Sequence, residues 1–415
     1  MSSDEVHMNT DNKKMTMGLV LFAAAGVFAM TMGIRQTMGL FLSPLNTATG
    51  LGIGSISLAF AFGQLWWGLT QPFAGIVADK IGAGRVIFLG VLLVAIGTII
   101  TPLMTTTAGL IFAIGMLAAG GSGMAGPSVL MAATSRMVPA EKRGIATGIV
   151  NTGGSFGQFL MAPLAGALTV AVGWAAALQI LGLVALLALP AVFVLKGNAK
   201  SSVPANHKPV GTMDAIRAAL RNPSYLMLGG GFFVCGFHVA FLATHLPGVI
   251  VACGLPAVVG AWSLAMIGLF NIFGSIGMGW AVGHWRMKSL LSLLYAARGI
   301  AILIFLLAPK TTAVVLIFAA VMGVTFLSAV PPTAGLVAKF FGTANMGALF
   351  GIVMLVHQVG GFLGAWLGGK VFELTGAYDW VWYVDIALAT GAALINLPIR
   401  EAPVAPRAGL AASAA

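Results

Sequence analysis

Charge is what this 415-residue chain has least of. Asp, Glu, Lys and Arg together make up 7% of it, against about 25% in a typical soluble protein. A globule of that size cannot cover itself with wetted surface from so few charges, which argues against a soluble enzyme, a nucleic-acid binder and a disordered scaffold. Acids are scarcer than bases, 10 against 21. Cysteine is nearly missing: Cys235 and Cys253 form no CxxC or Cys/His spacing, so neither a disulfide framework nor a structural zinc site is expected, and no cofactor is called for. The N-terminal MSSDEVHMNTDNKK lacks the short apolar stretch and small-residue cleavage site of a removable leader and reads as a cytoplasmic tail. Abundance lies elsewhere. The chain is 59% hydrophobic, with 56 Gly and 21 Met, a composition suited to close helix contact in lipid. It reads as a polytopic membrane protein.

Apolar stretches of about 20 residues are long enough to cross the hydrocarbon. Twelve are expected, near 17–43, 55–78, 86–104, 108–133, 145–170, 173–195, 224–250, 256–281, 289–308, 312–338, 344–371 and 379–398. The interval 196–222 is the longest polar stretch between them, rich in Ser, Pro, Asn and Lys, and reads as a linker whose MDAIRAALRN end forms a short amphipathic helix. The expected organisation is a cytoplasmic tail over 1–16, six spans over 17–195, the cytoplasmic linker, six spans over 223–399 and a cytoplasmic tail over 400–415.

The positive charges fix the direction. With the N-terminus inside, 17 of the 21 Lys and Arg fall in inner loops and tails, leaving Lys310 and Lys370 outside and Arg35 and Arg298 within spans. The positive-inside rule therefore places both termini in the cytoplasm, in a cell inner membrane. The net charge of +11 is thus mostly topology, and nucleic acid is not an expected partner. The two halves also repeat: Gly144, Gly148, Gly157 and Gly166 recur as Gly347, Gly351, Gly360 and Gly369 at a constant offset of 203 residues. Duplicated halves with a solute site between them are the usual plan of secondary transporters.

Between the second and third spans stands Gly75-Ile-Val-Ala-Asp79-Lys80-Ile-Gly82-Ala-Gly84-Arg85, a glycine-rich reversal with one acid and two bases. Its counterpart, Gly279-Trp-Ala-Val-Gly283-His284-Trp285-Arg286-Met-Lys288, keeps glycines and bases and loses the acid. This loop resembles the signature of the major facilitator superfamily. That resemblance implies an all-α fold of two pseudo-symmetric six-helix bundles that rock around a central site, functional as a single chain. Arg136-Met-Val-Pro139-Ala-Glu141-Lys142-Arg143 resembles the superfamily's loop between spans four and five. Gly75, Asp79, Lys80, Gly82, Arg85, Arg136 and Arg143 are accordingly the gating candidates, with plain topological charge as the other reading.

Within the superfamily, Gly33-Ile-Arg35-Gln36, the Trp66-Trp67-Gly68-Leu-Thr-Gln71-Pro72 run, Cys235-Gly-Phe-His238 and Thr244-His245-Leu-Pro247 resemble the bacterial branch related to monocarboxylate porters and oxalate/formate antiporters. The resemblance implies carriage of a small organic anion, often with a proton. The sequence departs from that branch in lacking an acidic-Gly pair early in span one, and in carrying its second-half arginine on span nine, not eight. Drug/proton antiporters carry a Gly-Pro pair in span five and an arginine in span four. Neither is present, which weakens the alternative of an exporter of bulkier amphiphiles.

A charge at mid-span costs roughly 2.5–3.5 kcal/mol on insertion scales, so each one needs a reason. Arg35 lies past the middle of span one and Arg298 near the centre of span nine. Arginine stays charged and forks onto carboxylates, so both are candidates to bind a substrate carboxylate; a structural bond to helix-end carbonyls or to a buried acid is the alternative. Asp385 is the one acid inside an expected span, so the cavity is expected to be net positive and to favour an anion. His238 and His245, seven apart on one helical face of span seven, and His357 in span eleven beside Gln358 are candidates for the coupling proton together with Asp385. Each histidine has a second reading as a neutral side chain bonded to a neighbouring helix. Tyr295, three residues before Arg298, is placed to orient it or the solute. Metal-ligand and nucleophile motifs are missing, so an enzyme is not expected.

Overall fold

The computed structural model describes residues 3–135, 138, 143–195, 212–342 and 346–403. Hydrocarbon offers no partner to a backbone N–H or C=O, and a helix satisfies both within one segment. The described residues are accordingly helical, without a strand. The first run comprises α1 (Ser3–Thr37), a 3-10 turn and α2 (Leu42–Thr49), and it is followed by α3 (Ile53–Ile81) and α4 (Ala83–Ile100). The fourth is interrupted: α5 (Thr107–Leu110) widens into a π-helical stretch (Ile111–Ala119), then α6 (Gly120–Met124) stops before α7 (Pro127–Ser135). Next come α8 (Arg143–Val172), α9 (Trp174–Ala185) and α10 (Leu189–Val194). The short α11 (Thr212–Leu220) lies in the expected linker, with Ala215 and Ala219 buried and the Asp214–Arg217 pair exposed. The rest is α12 (Pro223–Ala252), α13 (Ala257–Val282), α14 (Met287–Leu307), α15 (Thr312–Thr325), α16 (Val330–Phe341), α17 (Met346–Thr375) and α18 (Asp379–Asn396).

Ten of these helical runs are long and apolar enough to cross a membrane. The helices α3 and α18 carry more polar residues, Gln64 and Gln71 in one and Asp379, Asp385 and Asn396 in the other, and are held among their neighbours. Large apolar side chains such as Phe22, Leu187, Leu293 and Leu307 point outward, as lipid contact requires. The expected spans need three corrections. Span one continues through a 3-10 turn to Thr49, and its helix begins at Ser3, within the expected tail. Spans four and ten are broken. Gly126 and Pro127 end α6, and Phe326 to Ala329 separate α15 from α16 ahead of Pro331 and Pro332.

The 203-residue repeat reappears in the packing. Helix α1 lies against α8 and α12 against α17; α4 lies against α9 and α14 against α18. Small residues make the first two contacts close. A Cβ on Gly33 or Gly157 would strike the α8 or α1 backbone, and one on Gly236 or Gly360 would strike α17 or α12. Two further contacts join the halves: α3 with α17, and α8 with α13. These too are related by the repeat, since Gly369 abuts Ser57 while Gly166 abuts Ala261, and Gln358 covers Gly68 while Ser155 bonds Asn271. The glycine coincidence in the sequence therefore has a steric cause at Gly157/Gly360 and Gly166/Gly369. Gly148 and Gly351 face open space.

Candidate functional site

The two intramembrane arginines come from different halves, Arg35 on α1 and Arg298 on α14. Arg35, near the end of α1, is half-buried. Its Nη2 donates to Gln64 Oε1 on α3, its Nη1 lies 3.5 Å from Gln36 Oε1 and 3.7 Å from Met32 Sδ, and its guanidinium sits 4.6 Å from the centre of the Trp67 ring. Neutral amides and an aromatic face solvate the cation and leave its charge uncancelled. Beside it is a cavity of about 30 Å³ lined by Thr31, Gly63, Gln64 and Thr98, room for ordered water.

Arg298 is 1% exposed and reaches from the middle of α14 to the break in the tenth run. Nε donates to Thr325 Oγ1 at 3.3 Å, while Nη2 donates to the carbonyl of Thr325, to that of Phe326 at 2.7 Å and to Cys235 Sγ at 3.7 Å. These are carbonyls that a helix end leaves unsatisfied. From the opposite side Asn271 Oδ1 accepts the Leu327 N–H at 3.0 Å and Asn271 Nδ2 donates to Ser155 Oγ at 2.7 Å. One guanidinium and one amide thus stitch the break. Helix-end pairing, one of the two readings of Arg298, accounts for Nε and Nη2. It does not account for Nη1, which is buried without a partner.

Around that free nitrogen the structure gathers other unpartnered groups. The Tyr295 ring centre is 5.5 Å from the Arg298 guanidinium, and its buried hydroxyl bonds nothing. His238 Nε2 lies 3.1 Å from the Asp385 carbonyl oxygen and 3.3 Å from Asp385 Oδ1, with both side chains 1% exposed. The backbone contact satisfies the geometry of a hydrogen bond; Oδ1 and His238 Nδ1 have none. His357 sits 4.7 Å from the Phe232 ring with both ring nitrogens unpartnered, and it lies within electrostatic reach of Arg35 and Arg298 alike. Next to it, Gln358 is buried against Gly68. Among the described residues no carboxylate lies within 4 Å of either arginine.

Not every candidate joins this cluster. His245 shares a helix with His238, but the two bond different neighbours. Its Nε2 is 2.7 Å from the Ala365 carbonyl and its ring lies among Phe241, Tyr378 and Gly368, two turns away. The gating candidates are remote, at the loop between α3 and α4. There the reversal takes a single residue, Gly82, whose φ of +94° favours glycine. Lys80 and Arg85 are exposed beside it and Gly75 is half-buried about two turns earlier. Arg136 lies outside the described residues, and the side chains of Asp79 and Arg143 do as well. Sequence reasoning passed over Gln64, Thr325 and the role of Cys235. An amide in an apolar run marks Gln64; the Ser and Pro residues that follow Thr325 mark the break that exposes its carbonyl.

Arg35 and His238 themselves occupy one register position. Each is two residues after the glycine at which its helix meets its partner, Gly33 against α8 and Gly236 against α17, at the 203-residue offset. A permanent cation stands in one half and a titratable ring in the other.

Two intramembrane cations with no carboxylate within 4 Å among the described residues, beside a broken tenth run and within helices packed as a repeat, suit a solute carrier. Residues 17–365 match the model of the Major Facilitator Superfamily, and the chain belongs to that family. It is 26% identical over 384 residues to the uncharacterized MFS-type transporter YcxA of Bacillus subtilis, covering 89% of this chain and 92% of the relative. It is 24% identical over 391 residues to monocarboxylate transporter 13 of Rattus norvegicus (92% and 88%). The oxalate:formate antiporter of Oxalobacter formigenes is 23% identical over 367 residues (85% and 84%). The protein is a multi-pass membrane transporter of small polar or organic solutes, and members of its family are transporters, not enzymes.

Proposed function

We propose that the chain carries a small monocarboxylate-like anion across a cell inner membrane by alternating access, coupled to a proton. Twelve spans form two six-helix bundles, 17–195 and 223–399, joined by the 196–222 linker, with both termini cytoplasmic. The observation that carries the anion is the pair of arginines without a carboxylate within 4 Å, one of which keeps a buried free Nη1. An anion between them completes a charge balance that an organic cation would worsen. Arg35 and Arg298 hold the carboxylate, with His357, Gln358, His238 and Tyr295 around it. The names of two relatives, a monocarboxylate transporter and an oxalate:formate antiporter, favour the same chemistry.

The proton is assigned to the His238–Asp385 pair, because Asp385 is the only buried carboxylate among the described residues. His357 and His245 serve as neutral hydrogen-bonding groups. The conformation fits one phase of the cycle. Gly39 touches the backbone of Ala243 and Thr244, and Gly54 touches Glu373, so the halves close together at the end away from the 82 and 286 loops. At the opposite end α7 and α16 make their main contacts within their own halves. Gly75, Asp79, Lys80, Gly82, Arg85, Arg136 and Arg143 belong to that end and act in its closure.

The decisive experiment is uptake of a labelled carboxylate panel into proteoliposomes, with and without an inward proton gradient. Saturable uptake of at least one monocarboxylate, raised by the gradient, is expected. Absence of saturable uptake for every carboxylate would sink the anion assignment. Asp385→Asn is expected to keep solute exchange while losing gradient-driven accumulation; equal loss of both would remove the pair from the coupling step.

A further inference from the structure

A crevice of about 370 Å³ opens on the flank of the molecule between α13 and α14, with neither arginine in its lining. Its walls are apolar, among them Phe273, Gly277, Met278, Leu290, Leu293 and Ala297. Phe273 and Leu293 are exposed, so the opening faces lipid. From Ala281 and Leu290 at one end to Phe273 and Ala297 at the other it follows both helices for about 10–12 Å. It exists because α13 closes on α15 through Gly274, against the Val324 carbonyl, and so stands off from α14. Gly277 adds room: a Cβ there would meet nothing within 4 Å.

The loop that follows α13 supplies the matching polar end. Trp280 and Trp285 are exposed, with ring centres 5.3 Å apart, and the His284 ring lies tilted 4.3 Å from that of Trp280. Exposed tryptophans mark the headgroup level. Arg286, exposed one turn before Leu290, makes no hydrogen bond or ion pair through its guanidinium among the described residues. Neighbouring bases are engaged: Lys288 Nζ donates to the Leu397 carbonyl at 2.8 Å, and Lys339 pairs with Glu401 at 3.1 Å.

We propose that this crevice is a binding site for an anionic phospholipid of the adjoining leaflet, one acyl chain lying between α13 and α14 and the phosphate on Arg286. The length of the crevice suits the upper part of one chain, and the Arg286 guanidinium, without a partner among the described residues, lies one turn beyond it at the level of that lipid's phosphate. Thr325, at the inner wall, is the residue whose hydroxyl and carbonyl hold Arg298 on its other side. The lipid therefore props the broken tenth run from outside while Arg298 and Asn271 hold it from within.

Native mass spectrometry of the full purified chain tests the site, with phosphatidylglycerol and phosphatidylcholine as probes. The wild type is expected to retain one phosphatidylglycerol about fivefold more tightly than phosphatidylcholine, the effect of one basic side chain at a membrane surface. Arg286→Gln, at an exposed position that leaves the fold intact, is expected to remove that preference. Gly277→Leu, which fills the crevice, is expected to abolish retention of both lipids. Retention unchanged in Gly277→Leu overturns the crevice as the acyl site, and an undiminished phosphatidylglycerol preference in Arg286→Gln overturns the phosphate contact. Should Gly277→Leu fail to fold, Arg286→Gln decides alone.

Discussion

Arg298 directs Nε and Nη2 at its own chain and leaves Nη1 buried with no partner, so the structural role and the proposed solute contact draw on different nitrogens. A lysine provides a point charge without the planar fork. Arg298→Lys is expected to lower the carboxylate uptake rate at least about tenfold and to destabilise the fold by about 1.5–3 kcal/mol, the worth of one charge-assisted hydrogen bond. Initial rates in proteoliposomes and thermal unfolding in detergent read the two effects separately. Arg35 rests on glutamines and an aromatic face and joins no helix end. Arg35→Lys is expected to raise KM with little change in unfolding temperature. An equal fall in stability for both variants would contradict this division of roles. Both arginines stand out in the sequence because a charge in a long apolar run is rare. Gln64 and Thr325 carry fainter marks and Cys235 none, since what makes all three partners is the fold that brings distant helices together.

At the scale of the helix, glycine governs how near one element approaches another. Gly157 and Gly360 lie against the backbones of α1 and α12, where any side chain forces the helices apart. Gly157→Val and Gly360→Val are each expected to cost about 1–3 kcal/mol by overpacking. Gly148→Val, which meets nothing within 4 Å, serves as the control with little change, all three read by thermal unfolding. Hydropathy revealed the runs themselves and the repeat between them. It missed the interruptions at Gly126 and Phe326–Ala329, because an averaging window over apolar residues is blind to whether the hydrogen bonds run on. A break is tolerated only where something else satisfies the freed groups. Here that something is Arg298 and Asn271, far away in sequence.

For the whole molecule, the relation between halves is the property to perturb. A Cβ on Gly166 would lie 2.8 Å from Ala261 Cβ, against about 3.5–4.5 Å across a disulfide, so the two helices need part only slightly to admit a bridge. Oxidation of a Gly166→Cys/Ala261→Cys double variant is expected to arrest uptake, and reduction to restore it. Full activity of the cross-linked protein would show that this end need not open. A reporter fused within 196–222 is expected to report the cytoplasm, as the distribution of Lys and Arg requires. The all-helical, multi-span character was legible in the sequence because lipid imposes length and apolarity together. The grouping of Arg298, Tyr295, His238, Asp385 and His357 was not, since four different helices contribute to it.

Two copies of one bundle would build a chamber whose opposite walls are interchangeable, equally fit for a molecule presented either way round. The register position shared by Arg35 and His238 removes that equivalence. One wall keeps a fixed charge while the other has a ring beside Asp385. A cargo with a single acidic end then has a preferred heading inside the chamber, its carboxylate toward one wall and its remainder toward the other. For the proposed anion site the expected consequence is discrimination between mirror-image hydroxy acids in uptake, because only an oriented guest presents its substituents to different surroundings.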